Sequence, residues 1–330
     1  NVACDVVGYG RGGGIATQFG STTLQDSNIY RNTAAHGGGV WASGAPGLWV
    51  YPSITDCLIH ENVATTGGGG IHVAYADHAV LTGNEVYLNE AGEGGGLKIS
   101  FSPTAKLQSN GISANSADYG AGVHLNESDG ATISEGIITD NSAAGLGGGL
   151  WIGSSSDVTL LNNVIADNDV TGTGTGAGAF LFLGSTARLL HTTLAQNNAP
   201  AGHALHITDG STAWMTNTFV ASNTVGIYVG TGCSATMEAT LWGEGPWANT
   251  TNWISDGSID HGEIIVNGFP GFVDPGCNDY HIGGDSDARN AGLEVGVDRD
   301  IDGERRLGTP DVGADEFIVA VYLPLVARNQ

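Results

Sequence analysis

Cations are scarce in this 330-residue chain: 10 Lys and Arg stand against 34 Asp and Glu, for a net charge of −24. That sign excludes a nucleic-acid or anionic-membrane partner, both of which need a basic surface. Between Asn32 and Ala187 the only cations are Lys98 and Lys106, whereas Arg289, Arg299, Arg305, Arg306 and Arg328 gather near the C-terminus. No apolar run reaches the 18 or more residues of a membrane helix, which excludes a transmembrane segment, and the first residue, Asn1, does not open a signal peptide. A sustained 3.6-residue apolar period is missing as well, so helical bundles and doubly wound α/β folds drop out. The four cysteines, Cys4, Cys57, Cys233 and Cys277, lack CxxC or CxH spacing, which turns the reading from structural zinc to disulfides in an exported protein. Cys233 with Cys277 is the expected pair, stapling the last repeats to the tail, with Cys4 and Cys57 as a second.

Glycine, in contrast, is abundant: 54 residues, about twice the usual share. The glycines do not fall at every third position, which excludes collagen, and 41% hydrophobic residues in regular positions exclude disorder. They cluster before an aliphatic residue, as in Gly37-Gly38-Gly39-Val40, Gly68-Gly69-Gly70-Ile71, Gly94-Gly95-Gly96-Leu97 and Gly147-Gly148-Gly149-Leu150. An asparagine three residues after an apolar residue precedes each cluster: Asn32, Asn62, Asn89, Asn115, Asn141, Asn168, Asn197 and Asn223, separated by 26 to 30 residues. A third marker, an apolar residue from Leu24 to Met215, sits eight residues before each asparagine.

Each unit of about 27 residues holds three short alternating stretches divided by turns rich in Gly, Asn, Asp and Ser. The fold class expected is all-β, a right-handed parallel β-helix of three-stranded coils over residues 1–268, with inward Val, Ile and Leu stacked at about 4.8 Å per coil. Eight clear coils make a rod of about 40 Å. The recurrent asparagines read as architecture, hydrogen-bonding to backbone or to one another at the same corner, while glycines supply positive φ at the next.

On these residues, from about 10 to 230, the chain resembles the repeats of secreted bacterial β-helix proteins, including those of the polymorphic outer-membrane protein and adhesin type. That resemblance implies a secreted or cell-surface protein, and coils of this kind occur in adhesins, surface-layer proteins and polysaccharide lyases alike. Residues 271–275, 279–282, 300–306 and 311–316 look like the closing segment common in such proteins, which implies a cap over the last coil at residues 269–316. Beyond it, the apolar residues 317–330 are too short to span a bilayer and read either as a strand on their own rod or as a donor strand for a neighbour.

The coils lack the Lys and Arg of a polysaccharide lyase. Asp140 and Asp167 stand at equivalent positions one coil apart; they are candidate catalytic carboxylates, with exposed turn residues as the plain alternative. Alternation after each glycine cluster sends the second strand residue outward, which aligns Trp41, His72, Lys98, His124, Trp151, Phe180, His206 and Tyr228 as a candidate binding stripe. Tyr30, His60 and Tyr87 form a shorter outward row. His72 and His124 lie two coils apart, about 10 Å, too far to share a metal. Asp298, Asp300 and Asp302 before Gly303 match the first half of a calcium loop, although the twelfth position is Thr309; calcium is the one cofactor expected. Sequons occur at Asn126 and Asn249.

The expectation is an extracellular or cell-surface structural or adhesive solenoid that self-associates, into fibres or a surface matrix, or meets other surface proteins. The alternative is a carbohydrate-active protein that holds polysaccharide along the stripe.

Overall fold

A computed structural model of the chain describes residues 10–154, 156–198, 202–262 and 264–318. Three ten-stranded parallel sheets run the length of a ten-coil rod, about 45 Å at the spacing of paired strands. Sheet 1 begins at Ile15–Gln18 and ends at Thr251–Ser255; sheet 2 runs from Thr23–Gln25 to Ser258–His261; sheet 3 runs from Asn28–Tyr30 to Ile265–Gly268. Coils are numbered here by their sheet 1 strand, from coil 1 at Ile15–Gln18. A fourth sheet, from Thr33–His36 to Asp169–Val170, has six strands and lies between the asparagine corner and the glycine cluster. The sequence pattern predicts three strands per coil; the fourth was hidden because it buries a single small residue, such as Ala34, Ala91 or Ala117.

Every coil stacks in register on the next. Ile54, Leu81, Leu107, Ile133, Leu160, Leu189 and Met215 pair in sequence along sheet 2, and all are at most 1% exposed. At about 1.5–3 kcal/mol for each fully buried aliphatic side chain, these columns supply the main driving force. Trp242 occupies the corresponding inward position of sheet 3 in coil 9 and meets Trp253 of coil 10, so two indoles fill the tube near its end.

The asparagines form a continuous buried ladder. Asn115 Nδ2 donates to Asn141 Oδ1 at 2.9 Å, Asn141 Nδ2 to Asn168 Oδ1 at 2.9 Å, and each Oδ1 also accepts the backbone N–H of the preceding rung. Asn249 closes the series by accepting from Asn223, so that sequon is buried in the ladder. Just before each rung from Asn32 to Asn223 stands a residue with φ near +55°, among them Asp140 and Asp167. Two further ladders escaped the sequence reading, one through Asn84 and Asn110 and one of serines through Ser102, Ser128 and Ser156. Both follow the same 26-to-28-residue spacing.

The glycine cluster has two tasks. Gly94 takes φ +63° to turn the corner, and a Cβ on Gly96 would lie 2.7 Å from the carbonyl oxygen of Gly122 in the next coil. Only a residue without a side chain permits that approach.

The segment 269–316 does not lie across the axial end, as the expected cap would; it runs along the outer face of sheet 3 over coils 5 to 9. Phe219, Ala221 and Leu241 of the coils pack with Ile282, Ala288 and Val312 of the segment, and Val164, Ala166 and Ala195 pack with Tyr280 and Ala314. The physical reason is written in the outward residues of sheet 3. One outward column reads Asn28, Leu58, Glu85 and Gly111 in coils 1–4 but Val164, Thr193, Phe219 and Leu241 in coils 6–9, and the other reads Tyr30, His60, Tyr87 and Ser113 and then Ala166, Ala195 and Ala221 in coils 6–8. An apolar outer face has to be covered. Of the tail at 317–330, residues 319–330 lie outside the described residues.

The predicted Cys233–Cys277 disulfide is absent: both thiols are free, Cys233 buried and Cys277 exposed. Cys233 sits at a sheet 2 corner with its side chain in the core, whereas Cys277 sits in a short 3-10 turn on the segment. Cys57 is likewise a free buried thiol, and Cys4 lies outside the described residues.

Candidate functional site

Strand register aligns the whole stripe. Trp41 pairs with His72, His72 with Lys98, Lys98 with His124, His124 with Trp151, Trp151 with Phe180, Phe180 with His206 and His206 with Tyr228. The side chains do not stand free, however, as an exposed contact ladder requires: Trp41, His72, His124, Trp151 and Phe180 are all buried. Two causes combine. The rings stack on one another along the axis, His124 on Trp151 at 4.2 Å and His206 on Tyr228 at 4.6 Å, so neighbours cover much of their faces. The glycine corner also brings the end of the sheet 4 strand over them, which puts His36 beside His72 and pairs Glu93 with Lys98.

Over coils 4 to 7 this arrangement opens into a cleft of about 530 Å³. Its floor is Lys98, His124 and Trp151; one wall is Glu93, Tyr119 and Leu146, each just before a glycine corner; the other is Phe101 and Phe182 with Ser100 and Asn126. Phe101 stacks on Tyr75 at 4.7 Å, with φ of +50° at Phe101 and +49° at Tyr75, a conformation that bulky residues seldom adopt.

The cleft is electrically balanced. Burial first, then the neighbouring Lys98 charge, holds His124 down at about 3, and the same two causes hold His72 well below its ordinary range. Both imidazoles are therefore neutral at physiological pH. Burial works most strongly against an ionised Glu93, but the hydrogen bond and the charge of Lys98 together outweigh it and keep the carboxylate charged. One cation and one anion remain, paired.

The other sequence candidates have structural partners. Asp140 accepts a hydrogen bond from Asn278 Nδ2 at 2.7 Å, and Asp167 accepts one from the Tyr280 hydroxyl, so both aspartates anchor the C-terminal segment. Burial raises Asp167, opposed by the Tyr280 bond. Asp298, Asp300 and Asp302 do not converge on a common point. Asp300 is fully buried and spends both carboxylate oxygens on the backbone amides of Asp302, Glu304 and Glu316. Asp302 instead reaches His281 at 2.7 Å. Of the Asn-ladder residues, Asn32 borders an opening at the first coil with Ser27, Tyr30 and Arg31.

Glu93, Tyr119, Phe101 and Phe182 are the site residues that sequence reasoning missed. Their signal was positional: they flank the stripe at the two corners of sheet 1, where the residue type changes from coil to coil, as from Gly67 to Glu93 and Tyr119.

With fold and cleft in hand, the comparison with known families is direct. The model of the right-handed beta helix region matches residues 4–165 and 94–241. The chain belongs to this family. Among curated proteins and among solved structures, nothing matches it. No helix among the described residues is long and apolar enough to cross a membrane.

Proposed function

We propose that this protein is an adhesive, glycan-binding β-solenoid of the cell surface or extracellular space, and that the cleft over coils 4–7 takes a neutral polysaccharide. The carrying observation is a cleft that pairs aromatic walls with a few convergent polar groups at zero net charge. A sugar ring presents C–H faces to Phe101 and Phe182 and hydroxyls to Tyr119, Asn126 and the Glu93–Lys98 pair, the mixture typical of small-molecule sites. An acidic polysaccharide lacks a free cation to meet it there. Glu93 is the one carboxylate among the cleft-lining residues, whereas glycoside hydrolysis ordinarily requires two, so the reading is of binding and not of cleavage.

Calorimetric titration with neutral and uronic-acid oligosaccharides tests this. The reading predicts binding of neutral sugars alone, weakened at least tenfold in Tyr119→Ala and Phe182→Ala. Preference for the acidic series, or release of reducing ends from a bound chain, contradicts it.

Self-association is a second reading, supported by the exposed Phe19, Leu48, Trp49 and Tyr51 on the first coils. Sedimentation of the Leu48→Ser/Trp49→Ser variant tests it: larger species must be present in the parent chain and lost in the variant.

A further inference from the structure

We propose that the C-terminal segment carries a binding site for one divalent transition-metal ion, ligated by His281, Asp302 and Asp315. One ligand atom from each lies within 4.8 Å of the other two. The three come from separate stretches: His281 from the strand Asp279–Ile282, Asp302 from the turn before Gly303, and Asp315 from the loop that returns to the coils. Three chain segments meeting at one point are what a structural ion cross-links.

Three further observations point to a ligand. First, His281 Nδ1 lies 2.6 Å from Asp279 Oδ1. A carboxylate at Nδ1 fixes the proton there and turns Nε2 toward the site, the outer-shell arrangement common to metal-bound histidines. Nε2 is the atom 2.7 Å from Asp302 Oδ2. Second, Asp315 is only 7% exposed, and its carboxylate accepts one hydrogen bond, from the Ile282 amide to Oδ2 at 2.7 Å. Among the described residues no donor meets its other oxygen, which leaves that oxygen available to an ion. Third, a small cavity of about 20 Å³ that His281 and Asp315 share with Ile137, Val164, Tyr280 and Ile301, though not with Asp302, adjoins the cluster.

The donor set chooses the ion. One imidazole nitrogen with two carboxylate oxygens suits zinc, manganese or iron(II) and is unlike the all-oxygen shell of calcium. The site thus takes Asp302 from the sequence-predicted calcium half-motif but leaves out Asp298 and also Asp300, whose carboxylate is taken up by the backbone amides of Asp302, Glu304 and Glu316. Binding exchanges the proton shared between His281 Nε2 and Asp302 for the ion.

The test is independent of glycan binding. Chelator-treated full-length protein is titrated calorimetrically with zinc chloride and with manganese chloride. One ion per chain is expected, with a higher unfolding temperature once loaded. Asp302 has a half-exposed side chain, so Asp302→Asn keeps the fold and is expected to lose at least tenfold in affinity, with His281→Ala losing more and Asp298→Asn titrating like the parent. No binding by the folded parent chain, an Asp302→Asn titration that overlays the parent's, or an equal loss in Asp298→Asn overturns the assignment.

Discussion

The coils and the segment that lies on them are held by opposite kinds of interaction. In the coils the ladder and core residues meet their own kind one turn away, as with Asn141 on Asn168 or Leu160 on Leu189, and each such contact spans about 27 residues. In the segment the partners are singular and distant. Arg306, almost fully buried, reaches Asn162 Oδ1 at 3.1 Å and Glu316 at 3.3 Å, and donates to the carbonyls of Gly313 and Ala314. Asn217 of coil 8 exchanges two hydrogen bonds with Leu293. A repeat is stabilised by stacking and spreads its load; a one-off segment depends on a few buried polar knots, each of them costly to break.

The largest effect that separates the two regions is expected from Asn141→Ala. It removes the acceptor for the Asn115 amide and side chain and all three bonds donated by Asn141 Nδ2. Orphaning two buried donors at about 1–3 kcal/mol each places the loss near 4 kcal/mol, read from the shift in denaturant midpoint. Next comes Arg306→Met, which leaves Glu316 unpaired for about 3 kcal/mol. Here hydrogen exchange should rise across residues 269–318 while coils 1–4 keep their protection; uniform loss of protection would erase the distinction between the regions.

Acid sharpens the comparison further. Burial holds His124 at about 3 and His206 at about 4 in the folded chain, against about 6.5 when unfolded. The unfolded chain takes up protons first, so this stability is complete above pH 6.5 and falls as pH drops toward those values, by about 1.4 kcal/mol per histidine per pH unit. Asp315, raised to about 6 by burial, acts in the opposite sense, because the folded segment binds its proton first. Unfolding curves at pH 6.5 and 4.5 should show a loss that the His124→Phe variant lessens. The smallest effect belongs to Asn278→Ala, which breaks the exposed bond to Asp140 and should change stability by less than about 0.5 kcal/mol.

Periodicity explains what the sequence revealed. Asn32 to Asn223, the glycine clusters and the inward aliphatics repeat, so one inference about the register fixed eight coils and put Trp41 to Tyr228 in one column. The burial of that column was not readable, because it depends on a fourth strand whose one buried residue in most coils is a small one, such as Ala34 or Ala91, and on rings that stack with each other. Glu93, Tyr119, Phe101 and Phe182 differ from coil to coil, so no repeat marks them as cleft walls. The segment's site on sheet 3 was written in the change from Asn28 and Tyr30 to Val164 and Ala166, yet their partners Tyr280 and Ala314 lie over a hundred residues away. The free Cys233 and Cys277 show the same limit: spacing alone carried the pairing, without the geometry that places one in the core and the other on the segment.

The claim that the cleft is a neutral sugar site is tested most directly by measuring affinity for a neutral polysaccharide at low and at high ionic strength, in the parent chain and in the Phe101→Ala/Phe182→Ala variant. An uncharged ligand in a balanced cleft predicts the same affinity at both salt concentrations and its loss in the variant. Binding that collapses with salt, or that survives removal of both rings, contradicts it.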